Sequence, residues 1–362
     1  MARIALKNLA HSYMARPKTA ADFALKELDL SWEDGGAYAL LGPSGCGKTT
    51  LLNIISGLLT PTRGEVLFDD TPVTALPPER RNIAQVFQFP VIYDTRTVEE
   101  NLAFPLKNRG VAPAQIAARV REIAHMLELE GVLSRKARGL TADAKQKISL
   151  GRGLVRSDVN AILFDEPLTV IDPHLKWVLR SQLKVLHRQF DFTMIYVTHD
   201  QTEALTFADK VVVMYEGEVV QIGTPQELFN RPNHTFVGYF IGSPGMNVTP
   251  CEIAGDRAVL RGHQVPLGRT YPNVRPGARI ELGARPEFIT LTAPGGGGLP
   301  VKVRRVDDIG RYRIAKVELD GLALNVMVSE DASLPGEDGA IHFDAERVNI
   351  YADGHLVAGE AA

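Results

Sequence analysis

The chain has 362 residues, 45% of them hydrophobic and 23% charged, and its formal net charge is −3. These values are ordinary for a globular protein, and the charge gives no long-range attraction to nucleic acid or an anionic bilayer. No apolar run approaches the roughly 18 residues of a membrane span, and the N-terminal residues lack a signal-peptide core. Cys46 and Cys251 are the only cysteines, so we expect no disulfide framework and a reducing cytoplasm.

Residues 1 to about 235 alternate strand-like and helix-like segments, which predicts a mostly parallel α/β sheet. Tyr13 is the first candidate site residue in this part. Its ring could stack on a purine, and a half-buried core aromatic is the alternative interpretation.

A phosphate-binding loop follows the apolar strand predicted at residues 37–41. It fits the pattern G-x-x-x-x-G-K-[ST], and apolar residues at helical spacing follow it, so a helix N-terminus would point at the phosphates. Lys48 would contact the β- and γ-phosphates, and Thr49 would ligate Mg²⁺. The candidate nucleotide-binding residues of the loop are Gly42, Pro43, Ser44, Gly45, Cys46, Gly47, Lys48, Thr49 and Thr50.

A predominantly helical insert is predicted at about residues 90–156. Just before it, Gln88 follows the apolar strand 83–87, where its amide could reach a metal or a water, or be an ordinary loop residue. Within the insert one helix carries an apolar stripe, and Gly131 is its predicted end. The stripe consists of Ile116, Val120, Ile123, Ala124 and Leu127.

Two further apolar strands end in polar residues. Asp165 and Glu166 follow the strand 161–164, as the Mg²⁺-binding and water-polarising acids of a P-loop enzyme do, although an Asp-Glu pair can also be a simple turn. His199 follows the strand 194–198 and could donate a hydrogen bond to a γ-phosphate, or be a satisfied polar residue.

The pattern changes after residues 242–245. Val301 and Val303, and then alternate residues from Leu322 to Val328, are apolar at period two and are punctuated by Gly and Pro. This predicts a small β-barrel or sandwich of about 115 residues.

The order of these motifs resembles the ATPase subunits of ABC transporters. The β-rich tail resembles that of carbohydrate-uptake importers of the maltose and glycerol-phosphate type, with G-x-R-P-E at residues 283–287 and F-D-x-E-R at residues 343–347. The resemblance implies an α/β P-loop ABC ATPase domain (1–240) with a helical subdomain (about 90–156). A C-terminal all-β, OB-fold-like regulatory domain (246–362) would follow.

The same resemblance implies residue roles and cofactors. ATP and Mg²⁺ would be bound, with Tyr13 stacking on adenine and Gln88 sensing the metal and the membrane subunit. Asp165 would be the metal carboxylate, Glu166 the catalytic base and His199 the switch histidine. The metal-binding set would be Thr49, Gln88 and Asp165.

Two segments depart from the family pattern. Residues 140–144 read Leu-Thr-Ala-Asp-Ala where the family has the signature L-S-G-G-Q, and residues 169–172 read Thr-Val-Ile-Asp where S-x-L-D is usual. Ala142 adds a β-carbon and Asp143 a negative charge where the signature approaches the γ-phosphate held by a second subunit. Lys145 or Lys147 could offset part of that charge, and Asp172 is retained.

We therefore expect an ATP-hydrolysing subunit that powers uptake of a sugar, a polyol such as glycerol, or a glycerol-phosphate-like solute. Its expected partners are a second ATPase subunit with an intact signature, two transmembrane permease subunits and, indirectly, an extracytoplasmic solute-binding protein, with no nucleic acid. It would lie on the cytoplasmic face of the inner membrane, held by the membrane subunits. The alternatives are an ATP-binding structural or regulatory subunit and a soluble ABC ATPase outside transport.

Overall fold

The computed structural model describes residues 2–169, 171–295 and 297–361, and Val170 of the altered 169–172 loop lies outside them. The chain divides by internal packing into two units, Met1–Pro225 and Gln226–Ala362. The boundary that the sequence predicts between residues 240 and 246 stays a prediction. No helix in the described part of the chain is both long and apolar enough to cross a membrane.

The first unit contains a central sheet and a smaller antiparallel sheet. Its strands, in chain order, are β1 (Ile4–His11), β2 (Leu25–Trp32), β3 (Ala37–Leu41), β4 (Arg63–Phe68), β5 (Thr71–Pro72), β6 (Ala84–Val86), β7 (Ile162–Asp165), β8 (Met194–Thr198), β9 (Lys210–Tyr215) and β10 (Glu218–Gly223). Its helices are α1 (Lys48–Ser56), α2 (Pro78–Arg81), α3 (Val98–Lys107), α4 (Pro113–Met126), α5 (Ala142–Leu154), α6 (Pro173–Phe190) and α7 (Gln201–Phe207). Short 3₁₀ turns lie at Ala20–Asp22 and Glu130–Val132.

The central sheet has the strand order β10-β9-β3-β8-β7-β6. β3 pairs in parallel with β8 and β9, and β7 pairs in parallel with β8 and β6. Every residue of β3 and β8 is buried, as the apolar runs predict. Parallel strands carry their carboxyl ends to one edge of a sheet, so the segments that follow β3, β6, β7 and β8 meet there. This is the edge at which the candidate site lies.

The smaller sheet has the order β2-β1-β4-β5, and its apolar face shares a core with β3, β7, β8 and α1. Trp32, Leu40, Leu52 and Ile55 are fully buried in that core. The helix that carries the phosphate-binding loop is thereby packed between two sheets. The predicted α/β architecture is confirmed.

Helices α3, α4 and α5 fall within residues 90–156, and the apolar stripe of α4 is buried. The predicted end of that helix at Gly131 is wrong, because α4 ends at Met126 and Gly131 lies in a 3₁₀ turn. Glu128 takes the left-handed conformation with φ +55°, and the Leu129 N–H donates to the Ala124 carbonyl. This is a Schellman-type ending, in which a glutamate occupies the position that glycine usually takes.

The second unit is rich in antiparallel strands. They are β11 (Asn247–Pro250), β12 (Glu252–Ala254), β13 (Arg257–Leu260), β14 (His263–Pro266), β15 (Arg269–Thr270), β16 (Ile280–Ala284), β17 (Ile289–Thr292), β18 (Leu299–Asp308), β19 (Tyr312–Leu319), β20 (Leu322–Ser329), β21 (Asp338–Phe343), β22 (Asn349–Ala352), β23 (His355–Leu356) and β24 (Glu360–Ala361). Helices α8 (Pro225–Asn230) and α9 (Thr235–Phe240) precede them, and 3₁₀ turns lie at Pro286–Phe288 and Ala345–Arg347.

Two of its sheets, β17-β21-β18-β19-β20 and β11-β16-β22-β23, contribute to one apolar core. Val301 and the alternate residues Leu324, Val326 and Val328 point into this core, as their period-two spacing predicts. The predicted all-β, OB-like character of the C-terminal part is confirmed.

The buried Arg285 of the G-x-R-P-E segment fastens helices to this core. Its guanidinium donates to the carbonyls of Phe229 and Ile241, at the ends of α8 and α9, and lies 3.9 Å from the centre of the Phe229 ring. Burial lowers the pKa of Arg285 to about 10. The residue therefore satisfies helix-end carbonyls that have no partner within their own helices.

Candidate functional site

The loop at residues 42–50 connects β3 to α1 and is shaped by close backbone approaches. A Cβ atom on Gly42 would lie 2.2 Å from the Met214 carbonyl oxygen, which leaves room for glycine alone. Gly47 has φ +100° and is the N-cap residue of α1. The loop thus turns sharply from the strand into the helix, whose N-terminus carries a partial positive charge.

The Lys48 ammonium is folded into the loop. Its Nζ donates to the carbonyl oxygens of Gly42 and Pro43, each at 2.8 Å, and the side chain is buried. The Cys46 sulfur lies 3.8 Å away, and burial raises the pKa of the Cys46 thiol. A cation fixed beside a helix N-terminus makes the loop a strong anion-binding element.

A cavity of about 480 Å³ opens over the loop and brings together most of the predicted site residues. It is lined by Tyr13, Ala24, Ser44, Gly45, Gly47, Lys48, Thr49, Thr50, Gln88 and Glu166. Tyr13 and Gln88 come from segments far from the loop in sequence. Most of the predicted site residues therefore line one pocket, whereas Asp165 and His199 are outside its lining and contact Thr49 and Glu166 in it.

Tyr13 stands at the mouth of this cavity. Its ring is 67% exposed, its hydroxyl lies 3.0 Å from the Thr50 hydroxyl, and the His11 ring packs edge-on at 4.7 Å. An exposed ring held at its edge and at its hydroxyl suits stacking on a flat base, and it is not the core aromatic of the alternative interpretation. Its role in adenine binding stays a prediction.

Thr49 and Asp165 join the loop to the end of β7. The Thr49 hydroxyl donates to a carboxylate oxygen of Asp165 at 3.1 Å. Burial raises the pKa of Asp165, an effect that the Thr49 hydrogen bond opposes. A hydroxyl and a carboxylate at this distance are the oxygen donors that Mg²⁺ prefers.

Glu166, which follows Asp165 in the chain, contacts His199. The His199 Nδ1 lies 3.1 Å from the Glu166 Oε1, and the Thr169 hydroxyl lies 3.4 Å from the other carboxylate oxygen. Glu166 has φ +46°, a left-handed conformation that is uncommon outside glycine and is found at functional sites. The pair unites residues from the ends of β7 and β8.

Gln146 is a site-supporting residue that the motif analysis missed. It is fully buried in α5, and its amide nitrogen donates to the Pro167 carbonyl at 2.6 Å and the Phe87 carbonyl at 3.3 Å. Pro167 follows Glu166, and Phe87 precedes Gln88. One side chain therefore ties together the two segments that carry these cavity residues, and no short motif could reveal this contact.

The altered signature forms the N-terminus of α5. The Thr141 hydroxyl caps the helix by accepting from the Ala144 N–H, and Asp143 lies in the first turn with one carboxylate oxygen buried and unpartnered in the protein. The two lysines that could offset part of the Asp143 charge make ion pairs elsewhere, Lys145 with Asp94 and Lys147 with Glu128. Asp172 accepts from the His174 N–H at the start of α6.

Comparison with known proteins gives consistent matches. A family model described as ABC transporter matches residues 25–169. The sn-glycerol-3-phosphate import ATP-binding protein UgpC of Bordetella avium is 41% identical over 87% of this chain and 85% of its own length. The sulfoquinovosyl glycerol transport ATP-binding protein SmoE of Agrobacterium fabrum is 38% identical over 97% of this chain and 98% of its own length.

Two solved structures also match part of the chain. The dimeric post-hydrolysis state of the ATP-binding cassette MJ0796, bound to ADP and Pi, has a TM-score of 0.55 and 29% identity, and covers 61% of this chain and 98% of its own. CbiO1 from Clostridium perfringens, part of the complex cbiONQ, has a TM-score of 0.57 and 26% identity, and covers 63% of this chain and 90% of its own.

The raised pKa of Asp165 predicts a pH-dependent stability difference. The folded state holds this proton more tightly than the unfolded state, so wild-type stability falls as pH rises from the ordinary Asp pKa, about 4, through the raised value. Asp165→Asn keeps an acceptor for Thr49 and removes the charge. We expect it to raise the melting temperature of the nucleotide-free chain at neutral pH, by an amount that shrinks toward pH 4.

Thermal unfolding followed by circular dichroism between pH 4 and 8 measures this difference. Asp331→Asn, at an exposed position in the second unit, is the matched control. If the melting temperatures of Asp165→Asn and the wild type differ by the same amount at every pH, the raised pKa of Asp165 is contradicted.

Proposed function

The chain belongs to the ABC transporter family, and on this premise we propose that it is the ATP-hydrolysing subunit of an importer. This membership confirms the resemblance drawn from its motifs. The names of the similar proteins refer to import of sn-glycerol 3-phosphate and transport of sulfoquinovosyl glycerol. We infer a cargo of the same class, a sugar, a polyol or a glycerol-phosphate-like solute.

The observation that best supports a hydrolytic function is that three groups of side chains come together after the carboxyl ends of β3, β7 and β8. The Lys48 ammonium, the Thr49–Asp165 pair and the Glu166–His199 pair all lie at the carboxyl edge of the central sheet. The loop N–H groups and Lys48 would hold the β- and γ-phosphates of ATP, and the Tyr13 ring would support the adenine.

Magnesium fits the oxygen donors of the site. Thr49 and Asp165 would hold it, with the Gln88 amide oxygen as a further ligand from the cavity wall. When bound, it would neutralise charge on the phosphates. Lys48, Glu166 and His199 are the other residues of this chain in the proposed site.

Glu166 would orient and polarise the attacking water as general base, and His199 would fix the Glu166 carboxylate through its Nδ1. As charge develops on the γ-phosphate, the imidazole would also donate a hydrogen bond toward it. Retention of this pair argues against the alternative of a subunit that binds ATP without hydrolysing it.

A groove beside the site supports docking of a membrane subunit. It has a volume of about 260 Å³, and its wall includes Ile83, Phe87, Val91, Pro105 and Arg152. Phe89, which follows Gln88, is 70% exposed. We propose that a short cytoplasmic helix of a permease subunit fills this groove and holds the chain at the cytoplasmic face of the inner membrane.

The groove and the nucleotide cavity share one segment of chain. Phe87 lines the groove and Gln88 lines the cavity, and Gln146 anchors this segment to the residue after Glu166. Movement of the docked helix would therefore reach the hydrolytic site through residues 87–88. The hydrogen bonds from the Gln146 amide to the Phe87 and Pro167 carbonyls directly connect the groove segment to the backbone that follows Glu166.

We further propose that the chain works opposite a second ATPase subunit with an intact signature. Asp143 would face the γ-phosphate held by that subunit, and at about 5 Å with an effective dielectric near 20 each charge pair costs roughly 3 kcal/mol. Because Lys145 and Lys147 are paired with Asp94 and Glu128, neither is committed to Asp143. The second composite site would thus hydrolyse ATP slowly.

We expect Glu166→Gln to lower ATP hydrolysis by the transporter complex about 10²- to 10⁴-fold, the usual contribution of a general base. ATP binding to the isolated chain, followed with a fluorescent analogue, should change by less than about threefold, since the phosphate-binding loop is intact. Glu79→Gln, at an exposed position, is the control. If Glu166→Gln hydrolyses ATP as fast as the wild type, Glu166 is not the general base.

Gln146→Met keeps the side-chain length but removes the donor to Phe87 and Pro167. We expect hydrolysis by the complex to fall about tenfold to a hundredfold through misplacement of Glu166 and Gln88, with ATP affinity within about threefold. Gln115→Met, on the exposed surface of α4, is the matched control. Equal loss of ATP affinity and rate would instead indicate general damage to the fold.

Restoring glycine in the signature tests the proposal that the two composite ATP sites hydrolyse ATP at different rates. The double variant Ala142→Gly/Asp143→Gly should raise ATP hydrolysis by the isolated chain, up to about 100-fold if the whole repulsion is removed. Asp143→Asn separates the effect of charge from that of shape. Ala114→Gly/Gln115→Gly places the same glycines in the first turn of α4 as a control. Robust hydrolysis by the unmodified chain as a homodimer would refute the need for a partner.

A further inference from the structure

Four chain segments converge on a cavity of about 300 Å³ within the second unit. They are residues 230–231 at the end of α8, 269–271 at β15, 346–349 leading into β22, and 356–359 from the end of β23 onward. This cavity is separate from the nucleotide site, which is built from residues of the first unit. None of the proposed roles in ATP hydrolysis uses it.

The charged side chains around the cavity are predominantly basic. Arg231, Arg269 and Arg347 line it against a single carboxylate in the lining, that of Glu346, so the formal charge of the lining residues is +2. The amides of Asn230 and Asn349 add hydrogen-bonding groups. Guanidinium groups in this number favour an anion, and their forked donors match the oxygens of a phosphate.

Part of this wall is held in place before any ligand binds. The Arg347 guanidinium donates to the Asn230 side-chain oxygen at 3.3 Å and lies 5.1 Å from the centre of the Phe288 ring. The Asp344 side chain accepts from the Glu346 N–H and so fixes the turn that carries Glu346 and Arg347. The turn in the F-D-x-E-R segment at residues 343–347 therefore holds Arg347 at the wall of the cavity.

We propose that this cavity binds a phosphoryl anion, either free phosphate or the phosphate group of a small monoester. A phosphate monoester carries about −1.5 to −2 charges at pH 7, which matches the formal charge of the lining. The volume lies at the lower end of ligand sites, which favours a compact metabolite over a nucleotide. The inference does not depend on the proposed transport function.

Binding to the full chain by isothermal titration calorimetry tests this site. The nucleotide loop is first saturated with a non-hydrolysable ATP analogue, so that it cannot supply the signal. Glycerol 3-phosphate, inorganic phosphate and glycerol are then titrated separately. We expect saturable binding at one site for a phosphate-bearing probe and no binding of glycerol, and the stronger of the two phosphate probes identifies the source of the anion.

Arg269→Gln should weaken that binding about tenfold or more, because one charged donor is lost. Arg231→Gln is a second variant of the same wall. Arg311→Gln, an exposed arginine outside the cavity, should leave the affinity within about twofold. Hydrogen exchange of residues 346–349 should slow when the probe is bound, which locates binding independently of the variants.

Three results would overturn the proposal. The first is equal weakening by Arg269→Gln and Arg311→Gln, which would indicate unspecific charge attraction. The second is the loss of all phosphate binding once the nucleotide loop is filled. The third is binding of glycerol as tight as that of glycerol 3-phosphate.

Discussion

The hydrogen bond between the Thr49 hydroxyl and the Asp165 carboxylate is the contact on which the arrangement of the nucleotide site depends. It joins the phosphate-binding loop after β3 to the last residue of β7, and these two strands are separated in the sheet by β8. Parallel pairing of both strands with β8 places their carboxyl ends at the same edge of the sheet, and close packing beside Gly42 and Gly47 leaves the loop little freedom. Lys48 and Glu166 then line one cavity, and His199 contacts Glu166.

Helix α5 connects that cavity to the surfaces where other subunits would act. Its buried Gln146 holds the backbone on either side of the site, while Ser149 and Arg152 line the neighbouring groove. Its N-terminus carries the Asp143 charge that distinguishes this chain from the usual signature. In the proposed arrangement, one helix would thus combine an intact role in the chain's own site with an altered end facing a second nucleotide. This physical separation allows one role to change while the other is kept.

In the second unit, a buried arginine and an exposed arginine have different roles. Arg285 is enclosed, and carbonyl oxygens from helix ends compensate its burial. Arg347 stays exposed and is aligned by an asparagine and an aromatic ring, which leaves donor groups for a ligand. Both belong to segments that resemble recurrent motifs of importer tails. The first role stabilises the fold, and the second creates a basic cavity within it.

The sequence by itself determined the phosphate-binding loop, the apolar strands around it and the alternating pattern of the tail. Each of these depends on neighbours within a few residues, where glycine conformation and burial periodicity act directly. Tertiary structure alone decided that His199 contacts Glu166, that Gln146 bridges Phe87 and Pro167, and that arginines from separate segments line one cavity. It also ended α4 before Gly131, since packing of Leu129 and the left-handed Glu128 outweighed the local glycine signal. Such contacts join residues far apart in the chain, so no local pattern specifies them.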